Sequence, residues 1–305
     1  MPETQSAYRQ HHSTKTAVTK VYNDLLLVAD QADVSALCLL DLTAAFDIVD
    51  RDLLMFRLEH QFGLRGVVLQ WFSSYLSDRT FQVVFRSGTS SVVIITCSVP
   101  QGSVLGPRLF ILYMADLADV VKAHNVNLQS YADDLQLYLR CQRQHVTTAG
   151  RRFEMCITDV SHWMAANRLK LNDDKMELLW AGSEYGSTLL GSSGPPLRLG
   201  DETITASDHV RLLGITISSD LSPVKHVDTI SSSCFYWLCQ IRRIRQSLDA
   251  DESAKTLVHA FITSRIDRCN TVLAGLPRTI TDRLQRLLNA AACVVSNTRK
   301  FDRGL

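Results

Sequence analysis

The short run Ala36-Leu37-Cys38-Leu39-Leu40 constrains this chain most, because it is apolar without alternation and ends abruptly at Asp41. A run of this length fits a strand covered on both faces rather than a helix, so a buried strand is predicted over Val34–Leu40. Two further stretches alternate, residues 126–130 and 135–140, the second with Leu135, Leu137 and Leu139 on one face. Between them Tyr131-Ala132-Asp133-Asp134 is placed at the tip of a hairpin. Two strand ends therefore carry acids.

The remaining pattern is mixed. Ser13 reads as the cap of a helix with Ala17, Val21 and Leu25 on one stripe. Helices are predicted over residues 51–62 and 67–76, the second burying Val68, Leu69, Phe72 and Leu76. Residues 80–85 and 91–96 read as a hairpin across a turn at 86–90. The Gly- and Pro-rich loop of residues 100–107 feeds one helix through Leu109, Leu112, Tyr113, Asp116, Leu117 and Val120. Another helix is expected over 151–167, a Gly/Ser/Pro-rich linker over 183–196 and a short strand over 211–217. From His226 onward the chain reads as three helices, the last two carrying Leu257/Phe261/Ile262 and Ile280/Leu284/Leu287/Ala291 as stripes.

Composition excludes several classes. With 305 residues, 46% hydrophobic and 21% charged, the chain is neither a disordered tract, a collagen-like repeat nor a disulfide mini-scaffold. No stretch approaches the roughly 20 apolar residues of a membrane span, and residues 1–20 lack the apolar core of a secretory signal. An intracellular protein of the cytoplasm or nucleus, with no membrane partner, is expected. The eight cysteines form no CxxC pair and read as buried free thiols of a reducing compartment. The net charge of +1 hides an asymmetry: residues 225–305 hold 13 Lys/Arg against 7 Asp/Glu, net +6, which leaves −5 for residues 1–224. A basic end suggests a polyanionic partner.

A carboxylate at the end of a buried strand is held rigidly yet open to ions. Two such ends side by side would bring Asp41, Asp133 and Asp134 within a few Å, where repulsion calls for cations, and paired hard cations suit displacement at phosphorus. Taken alone, Asp133-Asp134 reads first as a turn sequence, since Asp is common in hairpin loops.

The order of three motifs decides between these readings. Asp41-Leu-Thr-Ala-Ala-Phe46-Asp, then Pro100-Gln-Gly-Ser-Val-Leu-Gly-Pro, then Tyr131-Ala-Asp-Asp resembles a reverse transcriptase, in particular those of non-LTR (LINE-type) retrotransposons. Gln5-Ser-Ala-Tyr-Arg9, His12-Ser-Thr, Asn167-Arg-Leu-Lys-Leu-Asn172, Lys175-Met-Glu177 and Val210-Arg-Leu-Leu-Gly214 resemble the flanking motifs in the same order. The resemblance implies an α+β right-hand polymerase: a truncated fingers remnant over residues 1–33, a palm with an inserted hairpin over 34–182, and the linker at 183–196. Primer-grip-like strands would follow over 197–222 and a helical, basic thumb over 223–305. It implies RNA-directed DNA polymerase activity, with dNTPs added to a primer 3′-OH on an RNA template or RNA–DNA hybrid. Two Mg²⁺ ions, or Mn²⁺ in their place, would be held by Asp41, Asp133 and Asp134 as catalytic and metal-binding residues. Leu42, Phe46, Gln101, Gly102 and Lys175 would contact the nucleotide. Phe46 would lie under the sugar and exclude a 2′-OH, and Lys175 would protonate the leaving pyrophosphate. Arg242, Arg243 and Arg245 would grip nucleic acid.

Three departures from the family pattern stand out. Set against that pattern, the chain would begin at the end of the fingers and would be too short to include an endonuclease, Ser98 would replace a usual glycine, and Met176 and Arg108 a usual threonine and an apolar residue. An inactive remnant that binds nucleic acid through its basic end is therefore the alternative reading. An RNA-dependent RNA polymerase would share the carboxylates, but Phe46 and the LINE-like flanks argue against it.

Overall fold

The computed structural model describes residues 3–182, 194–200, 202–248, 250–268 and 270–298. Helix α1 (Thr14–Asp30) starts in a capping box in which Ser13 and Thr16 satisfy each other's backbone N–H groups. Ala17, Val21 and Leu25 form part of its buried stripe, as the spacing predicts. Strand β1 (Val34–Leu40) has the predicted limits. Helix α2 (Arg51–His60) is capped by Asp50, whose carboxylate accepts from the Leu53 N–H.

Helix α3 (Val67–Leu76) also has its predicted span but not its predicted burial. Only Leu76 is buried; Leu69 and Phe72 are half-buried and Val68 is 50% exposed. The helix packs against α2, and its apolar stripe is only partly covered.

The predicted hairpin forms as two short ladders: β2 (Thr80–Phe81) with β5 (Val93–Ile94), and β3 (Val84–Phe85) with β4 (Gly88–Thr89). Its turn tightens to Arg86-Ser87, with Arg86 at φ +53. The helix expected beyond residue 107 is two, α4 (Gly106–Tyr113) and α5 (Leu117–Ala123). The cause is tertiary. Arg57, only 5% exposed, donates to the Tyr113 carbonyl that would otherwise continue the helix, and also bonds Asn167 and approaches Asp116.

Strands β6 (Asn127–Tyr131) and β7 (Asp134–Cys141) form the second predicted hairpin, followed by α6 (Val146–Ala166) and β8 (Glu177–Gly182). With β1 they make one antiparallel sheet in the order β6-β7-β1-β8. Ala36, Cys38, Leu40, Leu137 and Leu178 on one face pack with Leu54, Phe110 and Phe153 from α2, α4 and α6. Leu37, Tyr138 and Leu179 on the other pack on Val18, Val21 and Leu25 of α1. A central strand covered on both sides has no polar face to show, which is why β1 does not alternate. The architecture is α+β, an antiparallel sheet backed by helices, as expected.

The linker expected at 183–196 lies, up to residue 193, outside the described residues. Beyond it, β9 (Leu197–Leu199) pairs β10 (Glu202–Ile204). The single strand expected over 211–217 is a hairpin, β11 (His209–Leu212) with β12 (Ile215–Ser218). Its two-residue turn places Leu213 at φ +45 and Gly214 at φ +88. The backbone angle at Gly214 is what favours glycine there; a side chain would also meet the Arg268 guanidinium at 2.8 Å, a flexible group that can move aside.

Three helical segments follow, as predicted. Helix α7 (Val224–Ile244) leads to α8 (Ala250–Val258), which passes through a π-helical turn at His259–Thr263 to Ile266, and then to α9 (Arg278–Ser296). They enclose a separate core of Ile230, Leu238, Ile262, Leu284 and Leu287. Cys38, Cys141, Cys156 and Cys234 are buried thiols as expected, but Cys97 and Cys293 are only half-buried and Cys239 is exposed. Cys239 lies off the buried stripe of α7, and Cys269 lies outside the described residues. Among the described residues no helix is long and apolar enough to cross a membrane.

Candidate active site

The antiparallel pairing of β1 and β7 ends at Leu40 opposite Leu135. One step further on, that register sets Asp41 beside Asp134. In the β6–β7 hairpin Tyr131 pairs with Asp134, so the turn consists of Ala132 and Asp133, with Ala132 at φ +58. The three acids thus come from one end of the sheet, at the ends of its two central strands and in the adjoining turn.

Their electrostatics record the crowding. Burial, then the charges of Asp133 and Asp41, raise the Asp134 carboxyl to about 6, with Lys175 pulling the other way. Burial, with the charge of Asp41 added, raises Asp133 above the usual carboxylate range. Lys175 sits 2.8 Å from Asp41 Oδ2, and this hydrogen bond raises the lysine above its ordinary value. Among the described residues no three His, Cys, Asp or Glu side chains converge as a ready-made metal cage. The donor set nevertheless suits a hard cation: carboxylate oxygens alone, mutually repelling, with an ammonium group already drawn to one of them. Asp41, Asp134, Lys175, Glu177, Arg211 and Leu213 line an open cleft of about 390 Å³ between the main sheet and the β11–β12 hairpin.

The backbone after Asp41 is tied down from the opposite side. Asn172 N–H donates to the Asp41 carbonyl at 2.9 Å and Thr43 N–H donates to Lys170 O at 2.9 Å, bracketing a bridge between Leu42 and Leu171. Leu42 is buried, so any contribution it makes to a ligand comes from its main chain.

The other expected nucleotide contacts lie around α4 rather than in this cleft. Phe46 is half-buried, its ring centroid 4.6 Å from that of Phe110. Gln101 is exposed and donates to Asp47 Oδ1 at 2.9 Å. Gly102 has φ +75 with open space around it, so its glycine answers the backbone angle and not a steric need. Gly106 is the close approach: a Cβ there would lie 2.4 Å from the Pro100 carbonyl. Ser103 braces the loop, donating to Pro100 O at 2.6 Å, accepting from Gly106 N–H at 2.9 Å, and bonded by the Tyr75 hydroxyl at 2.9 Å.

Of the three arginines expected to meet nucleic acid, Arg242 and Arg243 are exposed near the end of α7. Arg245 instead donates to the Val294 and Val295 carbonyls, both at 3.1 Å, and so satisfies the C-terminus of α9. Sequence reasoning missed Gln5 as a site residue. It is 4% exposed and bonds both backbone groups of Ala132. Its only signal was its place at the head of the first flanking motif.

Comparison with known proteins finds similarity along the whole chain. The family described as "Reverse transcriptase (RNA-dependent DNA polymerase)" matches residues 1–217. The chain is 26% identical over 313 aligned positions to a probable RNA-directed DNA polymerase from transposon BS of Drosophila melanogaster, covering 100% of this chain and 33% of that protein. It is 27% identical to the corresponding protein of transposon X-element of the same fly, covering 79% of this chain and 26% of that protein. The RNA-directed DNA polymerase from mobile element jockey is 25% identical over 76% of this chain and 25% of its own length. This chain thus spans a third or less of the length of these relatives. A telomerase structure from Candida albicans superposes with a TM-score of 0.45 at 12% identity, over 97% of this chain and 52% of that one.

Proposed function

This chain belongs to the reverse transcriptase (RNA-dependent DNA polymerase) family, and from that premise we propose that it is the polymerase portion of a LINE-type retrotransposon enzyme. It would extend a DNA primer with dNTPs along an RNA template. The observation that carries the reading is the β1–β7 register, which sets Asp41 beside Asp134 while Asp133 occupies the adjoining turn.

In this reading Asp41, Asp133 and Asp134 hold the divalent cations, two Mg²⁺ ions or Mn²⁺. Bound there, the cations would neutralise the carboxylates and stabilise charge on the phosphoryl oxygens during in-line displacement. The chain's own groups do the rest. Lys175, already at the cleft wall, donates a proton to the leaving pyrophosphate. Phe46, held by Phe110, meets the sugar face and disfavours a 2′-OH. Gln101 and Gly102 contact the incoming nucleotide, and the main chain at Leu42 faces the triphosphate.

Residues 34–182 then act as the palm, the β11–β12 hairpin across the cleft as the primer grip, and the three helices of the basic end as the thumb. Arg242 and Arg243 meet phosphates there, giving affinity without sequence preference. Arg245 is better placed to hold the thumb helices together than to touch nucleic acid.

A primer-extension assay with a defined RNA template, Mg²⁺ and all four dNTPs tests the proposal. Extension by the parent and loss of it in Asp41→Asn is the expected result. Salt-sensitive hybrid binding with no extension by the parent would instead identify a non-catalytic binding protein.

A further inference from the structure

The catalytic turn has an unfavourable sequence for its shape. Two-residue hairpin turns with positive φ favour Asn-Gly or Asp-Gly, because such residues tolerate the left-handed region. Here the turn is Ala132-Asp133, and Ala132 adopts φ +58 with neither a glycine nor a side-chain hydrogen bond of its own to favour it. Something outside the hairpin must hold it.

Gln5 is that element, 127 residues away in sequence. Its Oε1 accepts the Ala132 N–H at 3.0 Å and the Ala7 N–H at 2.9 Å, while its Nε2 donates to the Ala132 carbonyl at 3.3 Å. That carbonyl belongs to the peptide leading directly into Asp133, so both sides of Ala132 are fixed by one side chain. Gln5 is fixed in turn. Ser130 N–H donates to Thr4 O at 2.8 Å and Ser6 N–H to Ser130 O at 2.9 Å, zipping residues 4–6 along the free edge of β6. Gln129 Nε2 donates to Ser6 Oγ at 2.8 Å. A primary amide offers a donor and an acceptor at one tip, whereas glutamate only accepts and asparagine is one methylene shorter.

We propose that Gln5 is the positioning residue that sets the Ala132–Asp133 peptide, and through it the Asp133 carboxylate, for nucleotidyl transfer. The proposal rests on the polymerase reading above for its catalytic consequence, but not for the clamp itself. Misplacing a reacting group by about 1 Å costs on the order of 100-fold in rate. Gln5 would thus tune turnover without touching substrate.

Hydrogen–deuterium exchange on the full chain without added metal tests the clamp directly. Gln5→Ala should speed exchange of the Ala132 amide by about tenfold or more while β1 and β7 stay protected. Gln5→Glu, which can still accept that N–H, should retain protection yet lose the bond to the Ala132 carbonyl. In primer extension both variants should show kcat lowered by roughly 10- to 100-fold, with dNTP KM and hybrid affinity within about twofold of the parent. Unchanged Ala132 exchange in Gln5→Ala would overturn the proposal. So would loosening of β1 and β7 together with the turn in both variants, or unchanged kcat in both beside an active parent. A parent no more active than Asp133→Ala would refute the polymerase reading and with it the catalytic role of Gln5. The exchange result would then still decide the clamp.

Discussion

Ser98 occupies a backbone position shaped for glycine. Its φ is +99, and its N–H is committed to the Val49 carbonyl at 2.8 Å, so the backbone cannot relax without losing that bond. A serine at this angle thus carries local strain beside the loop that opens at Pro100. Ser98→Gly should raise stability by about 1 kcal/mol, read as a Tm increase of roughly 2–4 °C in a thermal melt. A lower Tm would mean that the serine is accommodated without strain. Phe46 carries a different kind of claim. Its contact with Phe110 holds the ring between core and solvent, so the same side chain serves packing and can present a face to a sugar. Phe46→Val should admit ribonucleotides at least about tenfold more readily than the parent in competitive incorporation. Unchanged selectivity would leave Phe46 with packing alone.

Helix α7 docks on the β11–β12 hairpin through a buried histidine. His226 is 3% exposed, its Nδ1 accepts from Thr216 N–H at 3.2 Å, and its Nε2 has no partner. Burial, with the Arg211 charge added, lowers His226 from 6.5 to about 4. The unfolded chain therefore takes up this proton at a higher pH than the folded one. Stability from the neutral ring is present above about pH 6.5 and is lost as pH falls towards 4. Thermal melts across this window should show a steeper loss for the parent than for His226→Gln; parallel curves would contradict the assignment. Such tertiary effects also mark where sequence stops speaking. The β1 run and the alternating strands around Asp133 were legible because burial on two faces or one writes itself into the residue pattern. The β11–β12 hairpin was not, since Leu212-Leu213-Gly214-Ile215 reads as one short apolar run and lacks the Asn-Gly or Asp-Gly signature of a two-residue turn. The break between α4 and α5 was also hidden, because it depends on Arg57 arriving from another helix to take the Tyr113 carbonyl. The acids of the site could be picked out individually, but the Gln5 clamp could not, being a polar contact across 127 positions.

At the scale of the molecule, charge is unevenly divided. The sheet carries the acids, while a separately cored helical unit carries the excess of arginine, with Arg242 and Arg243 exposed upon it. Binding of an RNA–DNA hybrid should weaken with salt, and each of Arg242→Ala and Arg243→Ala should lower the slope of log K against log salt by about 1. An unchanged slope in the double variant would place the duplex elsewhere. Arg245→Ala should act mainly on stability, since its guanidinium serves the end of α9. The central claim is that three carboxylates brought to one end of the sheet by the β1–β7 register and the β6–β7 turn carry metal-dependent DNA synthesis. Incorporation of labelled dTTP on poly(rA)/oligo(dT) with Mg²⁺, parent against Asp133→Ala, tests it most directly. Incorporation by the parent that the Asp133→Ala protein lacks is the expected result; equal signals from the two proteins would contradict the account.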